Sequence, residues 1–350
     1  MIVNLTWPTT RLFGGGLAVL FEFANGLAAR GHEVHFLHVP SLHERVRAVS
    51  EISWFEFHED VQHHFVDSYD DPKLPVADVC LWAASDSHLG RPAAVIQGYG
   101  LMPPKFERPA FRGPGPKLCV ATWLREVGIA WGVPPEQMLH QPIGIDHDLF
   151  QPRRPLTDRP IDVAMLCSTH PVKGTDDGLA ALSELRRRRP ELRVELFGLV
   201  RPEVEPPGWA RYNHGLDRSD LVEQIYDRTK VFLQPSWREG FGLTAVEAMA
   251  CGAALVTTDN GGSRDYAIHD ETALVVMPRR PTEMADSVEA LLSDESRRCR
   301  LALAGERYVR RFTWDRAIDA LESHLLAYLA DPDRFEAPPA DAPAVPAGTW

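Results

Sequence analysis

Short apolar runs recur along the chain, and most are followed by a stretch with helical spacing. In the first half the runs predict strands at residues 2–6, 34–39, 79–82, 94–97 and 118–122. In the second half they fall at 162–166, 193–198, 231–234, 254–257 and 273–276. Strands alternating with helices argue for an α/β protein, with parallel sheets covered by helices on both faces. The first helix can be read residue by residue. Leu17, Leu20, Phe21, Ala24, Leu27 and Ala28 recur at i, i+3, i+4, i+7 and give one apolar face. Gly31 then supplies a C-terminal stop. Residues 41–73, rich in His and acids, show no pattern and read as irregular.

Pro142, Pro152, Pro155 and Pro160 mark a junction, and a new strand begins at Ile161. The expected division is a first domain over 1–150, a second over 151–311, a final helix over 312–330 and a disordered Pro/Ala-rich tail over 331–350. No internal repeat is visible. At 350 residues the chain is long enough for two cores. A net charge of -12 argues against a general nucleic-acid binder, which presents a basic face, but allows a local basic groove. The five cysteines (Cys80, Cys119, Cys167, Cys251 and Cys299) form no C-x-x-C pair, and an odd, scattered set fits a reducing compartment. The first residues read as a strand rather than a signal peptide. No run approaches the roughly 18 to 20 apolar residues of a spanning helix. Together these features predict a cytoplasmic protein.

The chemistry concentrates in Pro235-Ser-Trp-Arg-Glu-Gly-Phe-Gly-Leu-Thr-Ala-Val-Glu-Ala-Met-Ala-Cys-Gly252. A strand, a glycine break and a helix N-terminus make a phosphate site. Glu239 and Glu247 flank that break, and phosphate beside hydroxyl-binding acids suggests a nucleotide sugar. A helix starting near Thr244 exposes the N–H groups of Gly242, Leu243 and Thr244 to a diphosphate. The two oxygens of Glu247 can then take two vicinal ribose hydroxyls. The competing reading is a capping box, Thr244-x-x-Glu247, which needs no ligand. Glu239 reads equally as a solvated loop acid.

Lys173, in His170-Pro-Val-Lys-Gly174, follows the first strand of the second domain and can neutralise a phosphate as a point charge, or stand solvated before a helix. Gly14-Gly15-Gly16 lies between the first strand and first helix, where glycines allow close backbone approach or simply a turn. It is not G-x-G-x-x-G, so a dinucleotide site is unsupported. Residues 258–265 form a turn expected to line the same cleft. Arg186 to Arg189 read as a solvated helix face. His88, His147 and His214 have no metal-ligand spacing, and no Ser/His/Asp arrangement has local support.

Glu239 to Glu247 resembles the E-x7-E signature of retaining glycosyltransferases of the GT-B fold, family 4, also called glycosyl transferases group 1. The similarity continues through Gly14-Gly15-Gly16, Leu27 to Val34, Val120-Ala-Thr-Trp-Leu124, Ile143-Gly-Ile-Asp146 with Phe150, Lys173-Gly174, Phe197-Gly198, Pro235-Ser236, Gly261-Gly262 and Arg311-Phe-Thr-Trp314. It implies a GT-B architecture, two Rossmann-like domains facing a central cleft, with the last helix crossing back to the first domain. It implies that Glu247 holds the donor ribose and that Glu239 contacts the transferred sugar. Gly242, Leu243, Thr244 and Lys173 would hold the diphosphate, and Gly15 and Gly16 would close over it. The implied reaction is transfer with retention at the anomeric carbon, from a nucleoside-diphosphate sugar to a hydroxyl of a glycan, lipid or small natural product. It needs no metal and no cofactor, and the departing diphosphate takes the acceptor proton. Ser168 stands where the family often has an arginine. Ser85, Asp86 and His88 are candidates for the acceptor side. The alternatives are a catalytically silent nucleotide-sugar-binding partner, a sugar phosphorylase and a nucleotide-sugar epimerase. The missing pyridoxal-type lysine signature argues against the phosphorylase.

Overall fold

The structure, a computed structural model, describes residues 1–41, 44–69, 71–81, 88–100, 104–199 and 206–336. Its central strands are mostly buried and largely apolar, as expected where helices cover both faces of a parallel sheet. Seven of them, β1 (Ile2–Thr9), β2 (Glu33–Pro40), β3 (Val61–Phe65), β4 (Val79–Leu81), β5 (Arg91–Ile96), β6 (Lys117–Cys119) and β7 (Met138–His140), form one sheet. Its order is β3-β2-β1-β4-β5-β6-β7, and every pairing is parallel. Helices α1 (Gly15–Ala29), α2 (Pro104–Arg112) and α3 (Thr122–Ala130) belong to the same unit.

The second unit holds β8 (Ile161–Leu166), β9 (Val194–Gly198), β10 (Ala210–His214), β11 (Thr229–Gln234), β12 (Ala254–Thr258) and β13 (Ala273–Val276), in the order β10-β9-β8-β11-β12-β13. These pairings are also parallel. Its helices are α4 (Thr175–Arg188), α5 (Arg218–Asp220), α6 (Leu243–Ala250), α7 (Pro281–Ser293) and α8 (Glu295–Val309). Val163, Met165, Leu196, Leu233, Val256, Leu182 and Val288 meet in its core.

The last helix, α9 (Trp314–Ala330), belongs to the first unit and packs on α1. A Cβ on Gly26 of α1 would lie 2.3 Å from Ile318 Cγ1, so glycine there lets the helices close. Arg30 bonds Glu322 at 2.9 Å and also Asp319, and His32 meets Glu322 at 2.7 Å. The units divide between Gly144 and Ile145 rather than at 150/151. The reason is packing: Ile145 N–H donates to Phe312 O at 3.1 Å, and the buried Phe150 ring meets Tyr226.

Other expectations are corrected in detail. The run at 118–122 is a strand only to Cys119, because Thr122 opens α3 and buries Trp123, Leu124 and Val127. The stretch read as irregular contains β3. Like β10, β3 is short and rich in polar residues, so no apolar run announced it, and β7, only three residues long, is too short to stand out. Disorder from Asp331 is overturned as far as Glu336. Pro332–Phe335 form a 3-10 turn, Phe335 is buried, and its carbonyl accepts from Gly115 N–H at 2.8 Å. Gln137 Nε2 donates to Arg334 O and Glu336 O, at 3.3 and 2.7 Å. Residues 337–350 and Trp82 lie outside the described residues.

Two stability results follow. Gly115 has φ +83°, and a Cβ would lie 1.7 Å from Pro92 O. Gly115→Ala should therefore cost about 2 kcal/mol or more, read by urea unfolding. In β2 and β3, His38 bonds Thr9 Oγ1 and His63 Nδ1, both at 2.9 Å. Burial pushes His38 down to about 3 and His63 to about 4. The unfolded chain takes up these protons near 6.5, so stability held above that value is lost as pH falls toward 4. Melting should drop over that range, and His63→Gln should flatten the slope.

Candidate functional site

In a parallel sheet the loops leaving two adjacent strands diverge where the strand order reverses, and ligands bind there. In the second unit that point lies between β8 and β11. The β8 loop carries Lys173, at the end of the 3-10 turn Pro171–Lys173, and the β11 loop carries Glu239. Gly174, left-handed at φ 64°, lets the loops touch, since a Cβ there would lie 2.2 Å from Pro235 O. Trp237 ties them further. Its N–H donates to Val172 O and its Nε1 to Asp177 Oδ2, both at 2.6 Å, and the Arg279 guanidinium sits 4.0 Å above its ring.

Lys173 Nζ donates to both oxygens of Glu239, at 2.9 and 2.8 Å. Ser236 Oγ donates to Oε1 at 2.7 Å. The Glu239 side chain is 8% exposed and that of Lys173 29%, so Glu239 is no solvated loop acid and Lys173 no free surface lysine. A buried carboxylate persists because these donors compensate it. The backbone of Glu239 is fixed too, its N–H donating to Asn260 O at 3.0 Å. That bond belongs to the turn after β12. There a Cβ on Gly262 would lie 2.4 Å from Phe241 O, so the turn lies against residues 239–241.

Glu247 sits on α6, which follows Gly242 at φ 104°. The first intrahelical bonds run from Ala245 and Val246 N–H to Gly242 O, at 3.0 and 3.3 Å. The N–H groups of Gly242, Leu243 and Thr244 precede them, at the positive end of the helix. The capping box does not form, because Gly242 occupies the N-cap and no side chain caps the helix. Glu247, 6% exposed, instead accepts the Tyr226 phenol at 3.1 Å. Burial raises its carboxyl above the usual range, opposed by the Arg218 charge and the Tyr226 bond. Between the unfolded and folded values the folded chain holds more protons, so this group's contribution to stability falls as pH rises through that window. Glu247→Gln should therefore melt above the parent at pH 8 and match it near pH 3.

Gly15 and Gly16 are the first two residues of α1 in the first unit. A Cβ on Gly16 would lie 2.8 Å from Gln97 Oε1, and Gln97 Nε2 donates to Gly16 O at 3.1 Å. Glycine at 16 thus admits a side chain from the end of β5. Ser168 bonds within its own turn, its N–H to Thr175 Oγ1 at 3.0 Å and its Oγ from His170 N–H at 3.1 Å. His88 is exposed, and Ser85 and Asp86 lie outside the described residues. Ser236, named in sequence only as part of a motif, and Tyr226 emerge from the geometry. Ser236 stands three residues before Glu239, a local signal, whereas Tyr226 lies on another element. Among the described residues no group of three or more His, Cys, Asp or Glu side chains could hold a metal, and no helix is long and apolar enough to cross a membrane.

Residues 149–308 match the family model for glycosyl transferases group 1, a span containing Lys173, Glu239 and Glu247. The D-inositol 3-phosphate glycosyltransferase of Salinispora tropica is 30% identical over 191 residues, 49% of this chain and 39% of that protein. Its counterpart in Xylanimonas cellulosilytica is 32% identical over 212 residues, 51% of this chain and 49% of that protein. The chain thus spans less than half the length of these curated relatives. Anabaena HepE, solved in complex with UDP-glucose, superposes with a TM-score of 0.73 at 14% identity, covering 93% of this chain and 100% of that one. Seven- and six-stranded parallel sheets with that likeness are the GT-B fold. By its fold the chain is a GT-B protein, and over residues 149–308 it matches the model for glycosyl transferases group 1.

Proposed function

We propose that this protein is a metal-independent, retaining glycosyltransferase that moves a sugar from a nucleoside-diphosphate donor to a hydroxyl acceptor. The observation that carries the reading is the Lys173–Glu239 pair at the strand-order reversal, on the loop that leads into α6. The bond from the anomeric carbon to the diphosphate breaks, and the bond to the acceptor oxygen forms on the same face. The acceptor proton passes to the departing diphosphate oxygen. Lys173 and the N–H groups of Gly242, Leu243 and Thr244 stabilise the charge that develops there, a preorganised electrostatic task. Glu239, relieved of Lys173 by the diphosphate, orients hydroxyls of the transferred sugar. Glu247 accepts from the ribose. The family match supports this, as do Anabaena HepE structures with UDP-glucose and with UDP. The acceptor in this reading is a glycan, a lipid or a small natural product. Inositol 3-phosphate, in the name of the curated relatives, is the first to try.

The test is a panel of UDP-, GDP-, ADP- and dTDP-sugars, following diphosphate release and melting together. One donor at about 100 times its dissociation constant should stabilise the fold by about 2.7 kcal/mol and slowly release diphosphate. Glu247→Ala should weaken binding of that nucleotide about tenfold or more. If no donor stabilises the protein, the reading falls. Stabilisation without release, with every acceptor class tried, would favour the binding-only partner. Ser168, bonded within its own turn and carrying no charge toward a phosphate, is the one observation that speaks for that alternative.

A further inference from the structure

Glu247 has a partner that the reaction written above does not use. Tyr226 is fully buried and donates its phenol to Glu247 Oε2 at 3.1 Å. Among the described residues no hydrogen bond reaches Glu247 Oε1. The two oxygens are therefore inequivalent: Oε2 is held by the phenol, and Oε1 is left for another donor.

The chain goes to some length to put that hydroxyl there. α5 runs into a π-helical turn, Leu221–Ile225, and then a 3-10 turn, Tyr226–Arg228. Such a change of helical register rotates the residues that follow, and π turns concentrate at functional sites. Thr229 Oγ1 holds Ile225 O at 2.7 Å, and the Arg159 guanidinium reaches Tyr226 O at 3.4 Å, so the backbone below the ring is fixed. Phe197 and Phe232 meet the ring edge-on, with centroids at 5.8 and 5.7 Å, and Phe150 lies at 6.2 Å. Packing alone would be served by phenylalanine. A hydroxyl and a carboxylate buried side by side cost free energy unless each satisfies the other. Stability does not explain the choice, whereas aiming Oε1 does.

We infer that Tyr226 is a positioning residue: its hydroxyl fixes the carboxylate plane of Glu247 so that Oε1 meets a ribose hydroxyl, making the site selective for ribonucleotides over deoxyribonucleotides. This rests on the assignment of Glu247 to the donor ribose. Tyr226 touches neither donor nor sugar and acts through Glu247.

The experiment measures dissociation constants of UDP, GDP and ADP and of their 2′- and 3′-deoxy forms, in the parent, Tyr226→Phe and Glu247→Ala. For whichever base binds, the parent should prefer the ribonucleotide. Tyr226→Phe should lose about tenfold in affinity for the ribonucleotide and less than twofold for at least one deoxy form, so the preference collapses. The donor KM should rise by a similar factor while kcat falls less than threefold. An equal loss for ribo and deoxy forms, or no loss, overturns the inference. If Glu247→Ala leaves the preference intact, the ribose assignment itself fails, a result distinct from failure at Tyr226. Should Tyr226→Phe not fold by circular dichroism, Phe197→Leu loosens the ring and keeps the hydroxyl. It should narrow the preference in the same direction, and an unchanged preference again overturns the inference.

Discussion

Replacing Lys173 with alanine is expected to lower kcat/KM by about 10- to 150-fold, the equivalent of about 1.5 to 3 kcal/mol for a charge-assisted hydrogen bond. The expectation carries a second part, because Lys173 is bound to Glu239 by two hydrogen bonds. A diphosphate must compete with that carboxylate for the ammonium. Glu239→Gln, which keeps an oxygen to accept from Ser236, releases Lys173 from its ion pair. That variant should bind the nucleoside diphosphate more tightly than the parent while turning over more slowly, since the sugar loses its carboxylate. In the double variant the gain in affinity should vanish, because it is made through Lys173. Single and double variants form a cycle whose non-additivity measures the coupling. An unchanged rate in Lys173→Ala would reduce the pair to a structural clasp between two loops. Weaker diphosphate binding in Glu239→Gln would refute the competition.

The second large effect is expected at Gly242. Its φ of 104° is closed to other residues without strain, and a Cβ there would lie 2.3 Å from the Tyr266 hydroxyl and 3.2 Å from Gln234 Nε2. Tyr266 is fully buried and donates to Gln234 Oε1 at 3.2 Å, so it has no room to move aside. Backbone strain alone costs about 1 to 3 kcal/mol, and the displaced tyrosine adds to it. Gly242→Ala should therefore lose about 2 to 4 kcal/mol of stability in urea. It should lose nucleotide binding as well, because the same shift tilts the N–H groups at the head of α6. Stability within about 0.5 kcal/mol of the parent would show that the loop can re-form around the methyl group and that Gly242 is dispensable.

Much of this was legible in the sequence wherever one local rule decided the outcome. Buried parallel strands announced themselves as apolar runs, and α1 as a periodic face ending at Gly31. The turn between β11 and α6 showed as glycines between a strand and a helix. What stayed hidden depended on distant residues. β3, with the sequence Val-Gln-His-His-Phe, is a strand because β2 offers it an edge. The residues after Asp331 are ordered because Gly115 and Gln137 hold their backbone. At the site, the spacing of Thr244 and Glu247 permitted a capping box. Only the left-handed Gly242 and the phenol of Tyr226 decide against it. The Lys173–Glu239 pair was likewise out of reach, since its members are 66 residues apart and meet because β8 and β11 are neighbours.

The return of α9 to the first unit has a consequence for the order of events on the ribosome. The second unit, Ile145–Thr313, is one uninterrupted stretch and can finish folding as soon as it has emerged. The first unit cannot, because its helix α1 waits for a partner synthesised some 290 residues later, the distance between Arg30 and Glu322. Until then the contact face of α1 around Gly26 stays open, and exposed apolar surface of that kind favours aggregation. The nascent chain is thus expected to need chaperone protection for its first-made half rather than its last. A chain truncated after Thr313 should display a second unit that resists protease and a first unit that does not.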